Sequence, residues 1–233
     1  APVVALQDGT LILWELNNLP DSVRDWTLPP FLDALRRAKE MQKPVASYIS
    51  EPGATELVNS LRIAVCDYPA SYGHVNCDHC RRRIATEGHT PACDILPQVT
   101  DAWLLREVAK LEPGRRTAIF QSSSSILDQY EAADPDFRIC FFYMHNGWEI
   151  GRVEIPRWVA EDLDQLELVH WVLHDQSQLG LGYPVALQEA HELAVLSMAD
   201  RRLVEDAVER ALSEQGVTVT YQGKAGSKRV RAI

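Results

Sequence analysis

No stretch of the 233 residues reaches the ~18–20 consecutive apolar positions that span a bilayer. The first residues, Ala1-Pro2-Val3-Val4-Ala5-Leu6, lack the charged start and long apolar core of a secretory signal. They also lack a methionine, which suggests a processed or shortened product. Basic residues are in deficit, 23 Lys and Arg against 33 Asp and Glu, for a net charge of −10. A uniformly basic surface that coats nucleic acid is thereby excluded; a local basic groove is not. Cysteine is scarce and odd in number, five in all, with four between Cys66 and Cys93. A secreted disulfide scaffold spreads an even set over a shorter chain, so a reduced, cytoplasmic setting is expected.

Several common chemistries are missing as well. There is no GxxxxGK[ST] phosphate cradle. Gly180-Leu181-Gly182 lacks the third glycine and the preceding strand of a dinucleotide fold. His191-Glu192 begins like a zinc-protease helix, but Val195 stands where the second imidazole is needed. Ser122–Ser125 carries no nucleophile elbow.

What is present reads as alternating strands and helices. Val3–Gln7 and Thr10–Leu16 flank Asp8-Gly9, a strong turn dipeptide, and predict a hairpin or tightly bent strand pair. Pro29-Pro30 predicts the start of a helix over Phe31–Met41. Val45–Ile49 reads as a strand and Thr55–Val65 as a helix. A further helix is expected over Asp101–Leu111 and a strand over Thr117–Gln121. Ile139–Tyr143 and Trp148–Ile155 around His145-Asn146-Gly147 predict a second hairpin, because Asn-Gly favours the positive φ of a tight turn. Helices follow at about Glu161–His174, Pro184–Met198 and Asp200–Glu214, then a strand-like Val217–Tyr221. The pattern is α/β, a mixed sheet with a helical C-terminal layer. The cysteine segment, residues 66–93, reads as an insertion within one domain spanning residues 1–233.

Five groups of residues could carry chemistry. Asp8 ends an apolar strand, where a carboxylate can offer a hard oxygen ligand to Mg²⁺ or Mn²⁺; the plainer reading is a turn aspartate. Tyr183 and His191 stand eight residues apart across a helix start, and eight steps of ~100° leave them within ~80° of one another. His191 shares a row with Leu187 and Val195, so it is either a satisfied core histidine or one that ligates a metal or moves a proton. Cys66, Cys77, Cys80 and Cys93 form C-x10-C-x2-C-x12-C. The central pair suits one tetrahedral Zn²⁺, with the outer pair completing four ligands; the plainer reading is free thiols in a loop. Cys140 reads as a small buried residue. Arg115, Arg116, Arg152, Lys224 and Lys228 are the candidates for contact with nucleic-acid phosphates, against a solvated surface. Arg152 shares a strand face with Glu154, which also fits an ion pair.

Separated strings agree with one family. Ala5-Leu6-Gln7-Asp8-Gly9-Thr10-Leu11-Ile12-Leu13-Trp14, Phe141-Phe142-Tyr143, Arg152-Val153-Glu154-Ile155-Pro156 and Gly182-Tyr183-Pro184-Val185-Ala186-Leu187-Gln188-Glu189-Ala190-His191 occur in order. The chain resembles the NurA nucleases of DNA end resection. The resemblance implies an RNase H-like core, a ring-shaped homodimer, and Mn²⁺- or Mg²⁺-dependent exonuclease and endonuclease action on DNA. It also implies work with a HerA-type hexameric ATPase. Asp8, Tyr183 and His191 match the family's later aspartate, its tyrosine and its histidine, with Asp8 and His191 on the metal. An earlier core aspartate and a glutamate of the family pattern have no counterpart among the seven residues before Asp8. The resemblance is therefore expected to cover the C-terminal two-thirds of a family member, with either an N-terminal portion missing or part of the metal site lost. The rival expectation is a non-catalytic, zinc-stabilised scaffold that docks a DNA translocase.

Overall fold

A computed structural model describes residues 3–66, 77–88, 93, 99–195, 198–214 and 216. The chain divides into two compact units, Ala1–Glu189 and Ala190–Ile233. The first is built on one sheet. Strand β1 (Ala5–Asp8) is followed by helix α1 (Asp21–Glu40) and strand β2 (Val45–Ile49). Helices α2 (Glu56–Ala64) and α3 (Cys77–Glu87) come next, and the single turn α4 (Asp101–Trp103) runs into a π-helical turn over Leu104–Val108. The edge strand β3 (Phe120–Gln121), helix α5 (Leu127–Ala133) and the hairpin of β4 (Ile139–His145) and β5 (Ile150–Pro156) complete the sheet. Helices α6 (Arg157–Glu161), α7 (Leu163–Leu179) and α8 (Val185–Ala194) follow, and α9 (Met198–Glu214) lies wholly in the second unit.

Among the described residues five strands pair in the order β1-β2-β5-β4-β3. β1 runs parallel to β2, with Asp8 opposite Tyr48, and the other pairings are antiparallel. This is the α/β mixed sheet with flanking helices that the sequence predicts, in an RNase H-like layout. β2 and the β4–β5 hairpin are almost wholly buried, because both faces of the sheet are covered. Leu28, Leu32, Leu35 and Ala38 of α1 pack on one side with Val45, Tyr130 and Phe137. Leu166, Val169 and Leu173 of α7 pack on the other with Ala46, Phe142, Met144 and Val153. No described helix is long and apolar enough to cross a membrane.

Three local expectations are corrected. Asp8-Gly9 does not turn a hairpin: β1 pairs in parallel with β2, and no second strand follows Thr10. The polar groups that a returning strand would use are taken from elsewhere. The Glu154 carboxylate accepts from Leu11 N at 2.8 Å, while Tyr130 Oη donates to Leu11 O at 3.0 Å and accepts from Leu13 N at 3.1 Å.

The first helix begins at Asp21, ten residues before the expected start, and carries Pro29 and Pro30 inside it. An interior proline costs about 3 kcal/mol. The buried stripe Leu28, Leu32, Leu35 and Ala38 runs continuously past both, so tertiary burial outweighs the lost hydrogen bonds. The expected helix over Asp101–Leu111 is reduced to α4 and its π turn. The strand-like reading at Val217–Tyr221 lies outside the described residues.

Candidate active site

Asp8 stands at the C-terminal end of β1, exposed, beside Tyr48 of β2. Tyr183 comes from the turn between α7 and α8. Its hydroxyl donates to Asp8 Oδ1 at 2.6 Å, which brings together two residues 175 positions apart. The turn is tight: a side chain at Gly180 would collide with the Tyr183 carbonyl, so glycine alone lets the chain fold back here. Tyr183 then packs its half-buried ring edge-on to Tyr48, at 5.8 Å between centroids and 73° between planes.

A second carboxylate lies behind this pair. Glu149 accepts from Tyr48 Oη at 2.8 Å, from Ser50 Oγ at 2.7 Å and from Glu51 N at 3.1 Å. Burial pushes the Tyr183 phenol well above its ordinary range, and the hydrogen bond to Asp8 and the charges of Asp8 and Glu149 push the same way. Burial also raises Tyr48, followed by the Glu149 charge. Both phenols stay protonated at neutral pH and act as donors. A cleft of about 400 Å³ adjoins Asp8, lined also by Thr10 and by the apolar Trp14, Leu19 and Val23.

Glu154 ties the residues just after Asp8 to the sheet. It is fully buried and accepts from Thr10 Oγ1 at 2.7 Å, from Leu11 N and from Arg152 Nε at 2.9 Å. Arg152 Nη1 pairs with Glu56, and the guanidinium lies over the Phe141 ring, 3.8 Å from its centroid. Arg152 was a candidate for phosphate contact; at 1% exposure it is an interior ion-pair partner. The reason is the burial of β5 on both faces.

His191 is exposed on α8 in the second unit. Arg115 is exposed, and Arg116 sits over the Phe142 ring at 5.6 Å while Nη1 donates to Thr117 O. Lys224 and Lys228 lie outside the described residues, as does the side chain of Cys80. Cys66 is buried, Cys93 half-buried and Cys77 exposed at the start of α3. Among the described residues no three His, Cys, Asp or Glu side chains converge to hold a metal ion. Cys140 is buried in β4, as expected.

Sequence reasoning missed Tyr48 and Glu149, and with them Asn146, whose side-chain NH₂ donates to Tyr48 Oη at 2.8 Å. Asn146 looked like a turn residue alone, and Tyr48 like one more apolar residue of a strand. Their one visible signal was polar atoms set among residues destined for burial.

Comparison with known proteins agrees with the ordered strings around Asp8 and Tyr183. No curated protein and no solved structure matches the chain. The NurA domain family model matches residues 1–196, most of the 233, and on that match the chain belongs to the NurA family, nucleases of DNA end resection.

Proposed function

We propose that this chain is a metal-dependent deoxyribonuclease that hydrolyses DNA phosphodiesters, using Mn²⁺ or Mg²⁺, as a homodimer working with a HerA-type hexameric ATPase. The observation that carries the reading is the hydrogen bond from Tyr183 to Asp8 beside an open cleft. Two residues of the family strings, 175 positions apart, meet there.

The described residues do not by themselves complete a site for the metal, since no three suitable side chains converge. The roles assigned here are accordingly those of the side chains. Asp8 presents a carboxylate at the cleft, and neutral Tyr183 supplies a hydroxyl that can orient a phosphate oxygen or a water. His191 carries the proton-transfer or ligand role that the family motif gives it. Arg115 supplies a positive charge for the DNA backbone. A structural Zn²⁺ on Cys66, Cys77, Cys80 and Cys93 belongs to the same proposal. One zinc per chain by elemental analysis supports that part, and its absence from protein purified without chelator removes it.

The test is cleavage of linear duplex DNA with Mn²⁺ by the wild type, Asp8→Asn, Tyr183→Phe and His191→Ala. Losses of about 100-fold or more are expected, the scale of a lost acid–base or orienting group. Chelation should abolish cleavage and added Mn²⁺ restore it. Wild-type rates in all three folded variants would overturn the residue assignment, and a wild type that does not cleave with Mn²⁺ would leave the non-catalytic scaffold, whose readout is co-sedimentation with the ATPase.

A further inference from the structure

Asn146 is fully buried, yet it opens the four-residue hairpin connection between His145 and Ile150, where its neighbours Gly147 and Trp148 are exposed. All its polar groups are engaged, and they reach three separate segments. The side-chain oxygen accepts from Trp148 N and Glu149 N, both at 2.9 Å, and the backbone N–H donates to Glu149 O at 3.1 Å. These bonds close the hairpin. The side-chain NH₂ points the other way. It donates to Tyr48 Oη at 2.8 Å and to Gly182 O at 2.6 Å. The Asn146 carbonyl accepts in turn from Gln178 Nε2 of α7 at 2.6 Å.

Both targets of the NH₂ group lead to the same side chain. Gly182 is the residue immediately before Tyr183, so its carbonyl fixes the peptide from which Tyr183 departs. Tyr48 is the ring against which Tyr183 packs edge-on. The other restraints there come from α7, Trp148 and the turn itself: Gly182 N donates to Ser177 O at 2.8 Å, Tyr183 N donates to Gly180 O at 3.4 Å, Ala186 N donates to Gln176 Oε1 at 3.0 Å, and Gly182 lies against Trp148. We propose that Asn146 is the positioning residue for Tyr183, holding its hydroxyl on Asp8 through the Gly182 carbonyl and the Tyr48 ring. This assignment rests on the reading of Asp8 and Tyr183 as the reactive pair. An amide is required for it. A carboxylate would set acceptor against acceptor at Gly182, and an aliphatic side chain would leave two buried oxygens without a donor.

Asn146→Asp is the decisive variant, with Tyr48→Phe as the milder one, since it removes only the Tyr48 hydroxyl and keeps the ring. The readouts are cleavage rate and backbone hydrogen exchange at Gly182. Exchange there is expected to speed up about tenfold or more in Asn146→Asp, with β2 and β4 still protected. Its cleavage should fall as far as that of Tyr183→Phe, and Asn146→Asp/Tyr183→Phe should be no slower than Tyr183→Phe alone. A merely structural role predicts losses that multiply in the double variant. Multiplying losses, or unchanged exchange at Gly182, would overturn the assignment. If Asn146→Asp does not fold, Tyr48→Phe decides by the same two readouts. If Tyr183→Phe cleaves like the wild type, the reactive-pair reading fails, and exchange at Gly182 still decides whether Asn146 holds the turn.

Discussion

Gly151 of β5 has no side chain because the ring of Tyr48 occupies the place where one would be. A Cβ added there would fall inside the van der Waals envelope of Tyr48 Cζ and Oη. Tyr48 is fully buried, and its hydroxyl is held by Glu149 and Asn146, so the ring has no free end to swing aside.

Gly151→Ala should therefore destabilise the protein by about 1–3 kcal/mol, the usual cost of overpacking a close-packed interior. The same substitution should loosen Tyr183, which packs on that ring. Combining it with Tyr48→Ala should recover the steric part, so the double variant should cost less than the two single losses summed. Urea unfolding of the four proteins measures this. Additive losses would show that the ring and the missing Cβ are independent.

Arg152 leads to a second expectation. Its Nε donates to Glu154 at 2.9 Å, Nη1 pairs with Glu56, and Glu154 is itself bonded to Thr10 and Leu11. Removing one partner strands the other charges inside the fold. Arg152→Ala should cost about 3–5 kcal/mol, as truncated buried pairs do. Arg115→Ala, on an exposed loop residue, should change stability by no more than about 0.5 kcal/mol. It should instead weaken DNA binding and reduce the salt slope by about one charge. Denaturation midpoints together with binding at several salt concentrations separate the two arginines. A stable Arg152→Ala protein with a reduced salt slope would return Arg152 to the DNA surface.

The contrast between these arginines shows where sequence reasoning stops. Val45–Ile49 and the β4–β5 hairpin were legible because long apolar runs bounded by turn residues have few alternatives. Asp8-Gly9 misled because its flanks look like hairpin strands. The residue that prevents the hairpin is Glu154, 143 positions beyond Leu11, and no local pattern reveals that contact. Pro29-Pro30 misled for a similar reason: local cost was visible, and the burial that offsets it was not. Asp8 and Tyr183 were separate candidates on local grounds, and only the family strings joined them, since 175 residues separate the two. Asn146 was invisible as a functional residue because its turn preference already explained it.

The last expectation concerns acid. His170 of α7 is half-buried, with Nε2 3.2 Å from the Gly114 carbonyl and its ring stacked on Trp171. Burial lowers its pKa and the positive charge of Arg116 lowers it further; His174 acts in the same direction, and Gly114 and Glu167 oppose it. The unfolded chain, with an ordinary histidine near 6.5, therefore takes up a proton before the folded one does. The stabilisation is fully present above about pH 6.5 and is lost as the pH falls from there through the depressed folded value. His145 shifts in the same direction, through burial and then Arg106, and adds to the slope. Melting temperature should be flat from about pH 8 to 7 and decline below about 6.5. His170→Gln keeps a donor for Gly114 and cannot titrate, so its melting curve should decline less steeply over the same range. A wild-type His170 that titrates by NMR at or above the ordinary value would refute this, whatever the melting curves show.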